Sequence, residues 1–294
     1  QPAKPSTMQP YGLNQMAIAE PTIQNPAIKN KDTENFPVGS FLIRASLRPH
    51  IHAYYNFARG ADNIGDDPLI EPDEKIKRLT RFEECINGNG DDVAVAVALR
   101  NTLKESKVPP QHALELLRAF KQDAVKRRYA NWQELLDYCR YSASPVGRYV
   151  LALHGVGEKA WPANDALCTA LQIINHVQDC ADDYREMDRV YLPLDDMEKA
   201  AASTSDLSRE ASTPALRKVL DMQLERLKPM MVIARDLPRH VPDIRLKMET
   251  SIIHALASSL IKLLEKRDPL CDDVKLSKPA ILMAVFNGII KAFF

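Results

Sequence analysis

Four polar side chains recur in the segment over residues 171–193 at spacings of three, four and four: Gln172, Asn175, Asp179 and Asp183. At roughly 100° per residue, these spacings place all four on one stripe of a single helix. The stripe carries only amide and carboxylate groups, whereas most solvated faces mix both signs of charge. Hard divalent cations prefer such oxygens, and Mg²⁺ is usually held by one or two carboxylates together with substrate phosphates. The segment therefore predicts a magnesium site that handles a diphosphate.

A second acidic pair lies upstream, where Asp62 and Asp66 are four residues apart. Arg59 and Tyr55 fall on the same helical face. Two carboxylates beside a guanidinium could hold a metal and grip a phosphate. Considered alone, the pair fits a solvated face with an Arg–Asp ion pair equally well, since short acidic motifs often occur by chance.

The downstream stripe is more specific because its neighbours Ile173, Ile174 and Val177 are apolar and predict a half-buried helix. Four acceptors in such a place are costly without a counter-charge, which a metal–diphosphate cluster would supply. His176 is interpreted as a structural hydrogen-bonding residue. Zinc is disfavoured because no His/Cys set has suitable spacing.

Between the two motifs, residues 137–149 are rich in small side chains and contain Pro145 and Gly147, which would bend or end a helix. Small residues there would let a long ligand or another helix approach closely. Tyr138, Tyr141 and Tyr149 are available as hydroxyl donors or aromatic walls. Tyrosines at helical spacing are, however, more often core residues than catalytic ones.

These residues must be positioned by helices, because helical periodicity runs through nearly the whole chain after residue 30. No alternating strand set, internal repeat or second composition regime is present. We therefore predict one all-α domain over residues 31–294, preceded by a flexible arm over residues 1–30. The predicted boundaries are a helix end at Asp67-Pro68, helix starts at Glu71-Pro72, Pro109-Pro110, Asn131 and Thr213-Pro214, a stop at Gly88, a helix over 243–265, and a short helix plus loop over 195–212.

Composition narrows the function classes further. The 294 residues are 45% hydrophobic and 27% charged, with 39 basic and 39 acidic side chains, so no global field favours nucleic acid. The five scattered cysteines predict reduced thiols and a cytoplasmic location. No run approaches the ~20 apolar residues of a membrane span. The stretch over 279–294 is predicted to dock on the core rather than anchor to a surface, with peripheral contact to the inner membrane face left open.

Together, these motifs resemble the squalene/phytoene synthase family of head-to-head prenyl synthases. The resemblance covers roughly residue 35 to the C-terminus. It is carried by the two Asp-x-x-x-Asp motifs, the lead-in Gln172 and Asn175, the R-V-Y-L-P run over 189–193, and Tyr138, Cys139, Ala143, Val146 and Gly147.

The family implies an isoprenoid-synthase-type helical bundle around a central cavity. Residues 34–41 (ENFPVGSF) and 59–68 (RGADNIGDDP) look most like the bacterial hydroxysqualene synthase branch of hopanoid biosynthesis. That branch implies conversion of presqualene diphosphate to hydroxysqualene, with loss of diphosphate, capture of water and no nicotinamide. It also implies transient contacts with other enzymes of the squalene pathway.

The resemblance also assigns roles to individual residues. Tyr138 is expected to steer the water, Arg59 and Gln172 to orient the diphosphate, and Phe36, Tyr55 and Asn35 to bind the substrate. Several Mg²⁺ ions are expected on Asp62, Asp66, Asn175, Asp179 and Asp183, all four aspartates being counted as catalytic.

The chain departs from the usual family pattern at three places. Asn63 stands where a second consecutive Asp is common, and Gln178 where many members have Arg. Residues 32–35 (DTEN) replace His, Ser, Lys and Ser of dehydrosqualene synthases, which suggests that one diphosphate is bound differently. Two alternatives stay open, namely condensation of two farnesyl diphosphates to presqualene diphosphate, squalene or a phytoene-like product, and a non-enzymatic lipid-binding scaffold.

Overall fold

The computed structural model describes residues 42–293, and every regular element in this range is helical. An isolated bridge joins Arg128 and Val190. The all-α prediction is confirmed. The α-helices are α1 (Arg48–Asp66), α2 (Pro72–Asn87), α3 (Ala94–Ser106), α4 (Gln111–Asp123), α5 (Trp132–Ser142), α6 (Ser144–Leu153), α7 (Trp161–Gln178), α8 (Cys180–Met187), α9 (Leu194–Ala200), α10 (Pro214–Ala234), α11 (Ile244–Leu264) and α12 (Lys278–Phe293).

Helix boundaries follow the capping residues seen in the sequence. The Asn131 side chain accepts a hydrogen bond from the backbone N–H of Glu134 at 3.0 Å, which opens α5. Thr213 accepts one from the N–H of Leu216 at 3.1 Å, which opens α10. Gly88 ends α2 at φ 86°, a left-handed value that favours glycine. The predicted boundaries at these sites are confirmed.

The polar stretch over 195–212 also behaves as predicted. It contains most of α9 and a 3-10 helix over Thr204–Ser208. Upstream, α1 stops at Asp66 because Asp67 is extended before a proline. This end of α1 carries the first acidic pair.

Two large groups of buried side chains hold helices α1 to α11 together. Helices α1–α4 pack around residues such as Phe57 and Leu79, and helices from α5 to α11 pack around residues such as Ile173 and Leu220. The stacked rings of Tyr54 and Tyr149, with centroids 4.1 Å apart, connect α1 to α6. Tyr149 is thus a core residue, and complete burial of each large side chain contributes roughly 1.5–3 kcal/mol.

The small residues at the start of α6 serve helix packing. A Cβ on Gly147 would lie 2.6 Å from Sγ of Cys168 on α7, so only glycine permits this approach. Of the two uses predicted for these small residues, the structure shows contact with another helix.

The prediction of one unbroken helix through the downstream stripe is wrong at Asp179. There α7 ends and α8 begins, with φ −96° and ψ 7° at the junction. Hydrogen bonds of 2.8 Å still run from the Asp179 N–H to the Asn175 carbonyl and from the Asp183 N–H to the Asp179 carbonyl. The stripe is therefore divided between two helices that continue almost in line.

The last helix, α12, docks through one narrow face only. Ala284 and Gly288 are buried against α11, where a Cβ on Gly288 would lie 2.6 Å from Cα of Ile252. Leu282, Met283 and Phe286 are at least 64% exposed. The core-docking prediction is correct for Ala284, Gly288 and the partly buried Val285, and wrong for these three exposed side chains. Within residues 42–293, each helix is too short or too polar to span a lipid bilayer.

Candidate active site

The first acidic pair lies at the C-terminal end of α1, and each carboxylate has an arginine partner. Arg59 Nη1 donates to Asp62 Oδ2 at 2.7 Å, as their shared face predicted. Arg189 Nη1 donates to Asp66 Oδ1 at 2.6 Å. The Asp62 and Asp66 side chains are 32% and 41% exposed, so solvent screening limits what either ion pair adds to stability.

The second motif surrounds the junction of α7 and α8. His176, which is buried, lies with Nε2 3.1 Å from Nε2 of Gln172 and Nδ1 3.9 Å from Oδ2 of Asp183. Its ring stacks on Tyr191 with centroids 3.6 Å apart. The imidazole therefore connects two members of the stripe across the helix break, in agreement with its interpretation as a hydrogen-bonding residue.

A sharp turn after α8 brings Arg189 into the interior. Asp188 takes a left-handed φ of 51°, which Asp tolerates better than most residues. The Arg189 N–H then donates to the Asp183 carbonyl at 2.9 Å, and the Val190 N–H donates to the Arg127 carbonyl at 2.9 Å. This pairing with the chain after α4 fixes the position of the R-V-Y-L-P run.

The Arg189 guanidinium links α1, α4 and the turn after α8. Its Nη2 donates to the Gly65 carbonyl at 2.9 Å and to the Asp123 carbonyl at 3.4 Å, and its side chain is 8% exposed. Burial lowers the pKa of Arg189, but Tyr191, Asp123 and Asp66 together raise this pKa above its usual value. The cation is therefore permanent.

Asp123, at the last position of α4, is a buried carboxylate beside Tyr138. The Tyr138 hydroxyl donates to Asp123 Oδ2 at 2.8 Å. Burial raises the pKa of Asp123 to about 7, opposed by Arg189 and the Tyr138 hydrogen bond and assisted by Asp66 and Asp62. Burial and the adjacent Asp123 charge raise the pKa of Tyr138 well above the ordinary value, so the phenol stays protonated.

Other aromatic rings lie around Tyr138. Tyr138 lies 5.3 Å from Tyr129 and 5.6 Å from Tyr191, centroid to centroid, and 6.1 Å from His176. We call Tyr129, Tyr138, Tyr191 and His176 the aromatic cluster. Ring faces of this kind attract cations, most strongly where water is excluded.

A pocket of about 320 Å³ opens beside the cluster. Its lining includes both acidic and basic side chains, among them Asp66, Lys75, Asp123, Arg127 and Arg189. Lys75 donates to the Gly65 carbonyl at 2.8 Å. The pocket thus offers several cations to an anionic ligand within reach of the first acidic pair.

An unbroken series of contacts joins the two acidic motifs. It runs from Asp66 to Arg189, on to Asp123 and Tyr138, and through His176 to Asp183. Polar groups suited to cations and phosphates therefore border an aromatic interior. Such a site can stabilise a departing anion at one end and a carbocation at the other.

The sequence is similar to those of known proteins over most of its length. A sequence model described as squalene/phytoene synthase matches residues 29–280. A hydroxysqualene synthase from Rhodopseudomonas palustris is 43% identical over 261 residues, which is 89% of each chain. Another from Zymomonas mobilis is 42% identical over 260 residues, or 88% of each chain.

The chain belongs to the squalene/phytoene synthase family.

Solved structures agree with this membership. A squalene synthase from Alicyclobacillus acidocaldarius superposes with a TM-score of 0.67 and 30% identity, over 76% of this chain and 87% of that one. A dehydrosqualene synthase crystallised with a ligand gives a TM-score of 0.76 at 17% identity, over 88% and 91%, and shows the shared fold. This squalene/phytoene synthase family member is thus an enzyme that uses prenyl diphosphates, which contradicts the non-enzymatic alternative.

The structure places most of the predicted site residues of this synthase in one region. Arg59, Asp62 and Asp66 lie together on α1, while Gln172 and Asp183 are linked through His176. Asn35 and Phe36 lie outside the described residues, as does the arm over 1–30.

Sequence reasoning did not single out Asp123 or Tyr129, and Arg189 and Tyr191 appeared only within the R-V-Y-L-P run. The run held the clue for Tyr191, because its apolar residues predict a buried segment. Asp123 had no such signal, since it stands in the mixed-charge stretch KQDAVKRR.

The side chains of the two motifs suit a magnesium ion that also binds phosphate and water, rather than a metal ion held by protein ligands alone. Among the residues that the structure describes, no three His, Cys, Asp or Glu side chains gather around one point. Mg²⁺ needs only one or two carboxylates when phosphate oxygens and waters complete its shell. Partly exposed carboxylates such as Asp62 and Asp66 beside a cationic pocket suit that mode of binding.

Proposed function

We propose that this synthase converts presqualene diphosphate to hydroxysqualene and diphosphate. The observation that carries the proposal is the 41–43% identity to three hydroxysqualene synthases along 85–89% of the chain. Both acidic motifs and the tyrosine of the central segment are present. The proposal includes dependence on Mg²⁺ and independence from nicotinamide.

In this reaction the bond between carbon and the diphosphate oxygen breaks first. Asp62, Asp66, Asn175, Asp179 and Asp183 would hold Mg²⁺, which supplies positive charge to the leaving diphosphate when bound. Arg59 and Gln172 would orient that diphosphate. The carbocation is left against the aromatic cluster, whose ring faces lower its energy.

The hydrocarbon part of the substrate requires an apolar wall. Tyr138 contributes a ring whose hydroxyl is held by Asp123. Tyr55 on α1, with Phe36 and Asn35 nearer the N-terminus, complete the proposed substrate-binding set. Water must be excluded until rearrangement is finished and must then react once.

Condensation of two farnesyl diphosphates is the second candidate. It is favoured by the squalene synthase from Alicyclobacillus acidocaldarius, which is 30% identical and covers 76% of this chain. The two candidates differ in substrate and in their need for a reductant.

Separate incubations with the two substrates distinguish these candidates. Presqualene diphosphate with Mg²⁺ and no nicotinamide should give hydroxysqualene, identified by mass spectrometry, and removal of Mg²⁺ by a chelator should stop diphosphate release. Farnesyl diphosphate as the productive substrate, or squalene formed only with nicotinamide, would overturn the assignment.

We further propose that α12 binds the surface of an anionic membrane. Leu282, Met283 and Phe286 form an exposed apolar surface. Lys278 and Lys291 stand near its two ends, and α12 contains no Asp or Glu. Apolar side chains flanked by lysine are typical of helices that lie in a lipid interface.

Flotation with phosphatidylglycerol vesicles tests this surface. The wild-type chain should float, and Phe286→Ser with Leu282→Ser should not. Val232→Ser with Ile233→Ser, which alters two side chains of α10 that are at least 50% exposed, is the matched control. Equal flotation of all three proteins would contradict the proposal. Contacts with other squalene-pathway enzymes and the division at residue 30 stay predictions.

A further inference from the structure

Capture of a carbocation by water requires a group that removes a proton. As the water oxygen bonds to carbon, one of its O–H bonds must break. The carboxylates of the acidic motifs are assigned to the cation and the diphosphate. Another carboxylate beside the aromatic cluster is needed, and the buried aspartates can be compared for this role.

The structure describes three buried aspartates, and in two of them both carboxylate oxygens accept hydrogen bonds from neighbouring residues. Asp196 accepts hydrogen bonds from Arg226 and from Gln223, the latter at 3.1 Å. Asp206 accepts from the Ser203 N–H at 2.8 Å and from Arg209 at 2.9 Å. Both oxygens of each carboxylate are occupied by the fold, so neither is available for chemistry.

Asp123 differs because one of its oxygens has no protein partner. Oδ2 accepts from Tyr138, whereas Oδ1 is buried without a hydrogen bond from any described residue. Leaving a buried carboxylate oxygen unpaired is costly, and natural folds keep such atoms mainly where they serve a function. Asp123 also lines the pocket, so it lies between the pocket and the aromatic cluster.

The nearby arginine does not occupy the carboxylate. Arg189 directs Nη1 to Asp66 and Nη2 to the carbonyls of Gly65 and Asp123. Its charge therefore stabilises the ionised form of Asp123, while Oδ1 keeps its capacity to accept a hydrogen bond. Tyr138 holds Oδ2 and so fixes the direction of Oδ1.

We infer that Asp123 is the general base for water capture, with Oδ1 binding the water and Tyr138 positioning the carboxylate. This inference rests on the proposed function. The water oxygen forms the new C–O bond, one water O–H bond breaks, and its proton goes to Oδ1. The products are the alcohol and a neutral Asp123, which returns its proton to solvent through the pocket.

The ionisation of Asp123 suits this task. A general base works best when its pKa lies near the working pH, and burial brings the pKa of Asp123 to about 7. The charged groups that act on it are Arg189, which favours the ionised form, and Asp66 and Asp62, which oppose it. Tyr138 favours the ionised form by hydrogen bonding.

Product analysis of Asp123→Asn tests the inference. With presqualene diphosphate and Mg²⁺, the ratio of hydroxysqualene to released diphosphate should fall by at least about tenfold, because bond breakage does not need this base but capture does. Hydrocarbons formed by proton loss should replace the alcohol. Asp123→Glu should recover part of the alcohol, since it restores a carboxylate.

Asp196→Asn is the matched control, because Asp196 is also buried but does not line the pocket. It should reduce stability and leave the product ratio unchanged. An unchanged ratio in Asp123→Asn would overturn the inference. If wild-type protein forms no hydroxysqualene at all, the proposed function fails instead, independently of Asp123.

A pH series on the wild-type chain decides the matter if Asp123→Asn does not fold. The ratio of hydroxysqualene to diphosphate should rise with pH through about 7, as Asp123 loses its proton. A ratio that is constant from pH 5.5 to 8.5, a range of roughly 1.5 units on either side of that pKa, would overturn the inference.

Discussion

The two acidic motifs are held in different ways. Asp62 and Asp66 stand on one continuous helix, each with an arginine within 2.7 Å. Asp179 lies at the break between α7 and α8, and Asp183 lies in α8 with Oδ2 3.9 Å from Nδ1 of His176. The charge of the first motif is thus balanced before any ligand arrives. We infer that an arriving diphosphate recruits the arginines of the first motif.

The largest expected effect is at the second motif. Asp179→Ala should lower turnover by about 10³-fold, because the leaving diphosphate loses the cation that stabilises it. Turnover and the Mg²⁺ concentration for half-maximal rate are the measurements. The fold, followed by circular dichroism, should be unchanged.

Asp182→Ala is the control for this variant. Asp182 is one residue from Asp183, but its side chain is 71% exposed and pairs with Arg185 at 3.8 Å. It should retain normal turnover. Near-normal activity in Asp179→Ala, or equal losses in both variants, would remove the metal assignment.

The second-largest effect is expected at Arg189, which connects the two motifs. Arg189→Ala leaves Asp66 without its partner, and we expect the free energy of unfolding to fall by about 2–3 kcal/mol. This is below the range for fully buried pairs because Asp66 is 41% exposed. Denaturant titration measures the change, and turnover should fall about 10²-fold.

Arg189→Lys should recover little, since a lysine cannot reach Asp66 and both carbonyls together. Arg209→Ala removes an arginine that is 63% exposed and serves as the control. A normal unfolding free energy for Arg189→Ala would show that this link between the motifs is dispensable.

The smallest effect is expected at Arg59. Arg59→Gln removes a partly exposed ion pair, so stability should change little, while KM should rise about tenfold through loss of one charge-assisted contact to phosphate. Arg78→Gln, which removes the exposed pair with Glu74, is the control. An unchanged KM for Arg59→Gln would show that Arg59 does not contribute to binding of the substrate phosphate.

Local sequence signals predicted the helix boundaries well. Asn131, Thr213 and Gly88 act within one turn of themselves, so their meaning does not depend on the rest of the fold. The break at Asp179 has no proline or glycine, and its backbone hydrogen bonds continue on both sides. No local sequence signal therefore predicts this break.

The sequence predicts those site residues that recur at helical spacing along one helix. It does not predict those that are brought together by the packing of distant segments. Asp62 with Arg59 follows from spacing alone. Asp123 acquires its role from Tyr138, fifteen residues away, and from the pocket beside it. The exposure of Phe286 likewise depends on which neighbours reach α12.

The most direct test of the proposed function is the fate of oxygen from water. Presqualene diphosphate should be incubated with the full chain and Mg²⁺, without nicotinamide, in water enriched in the heavy oxygen isotope. We expect hydroxysqualene that carries the label, together with one diphosphate for each molecule of alcohol. Unlabelled alcohol, or squalene formed only when nicotinamide is supplied, would contradict the proposed function.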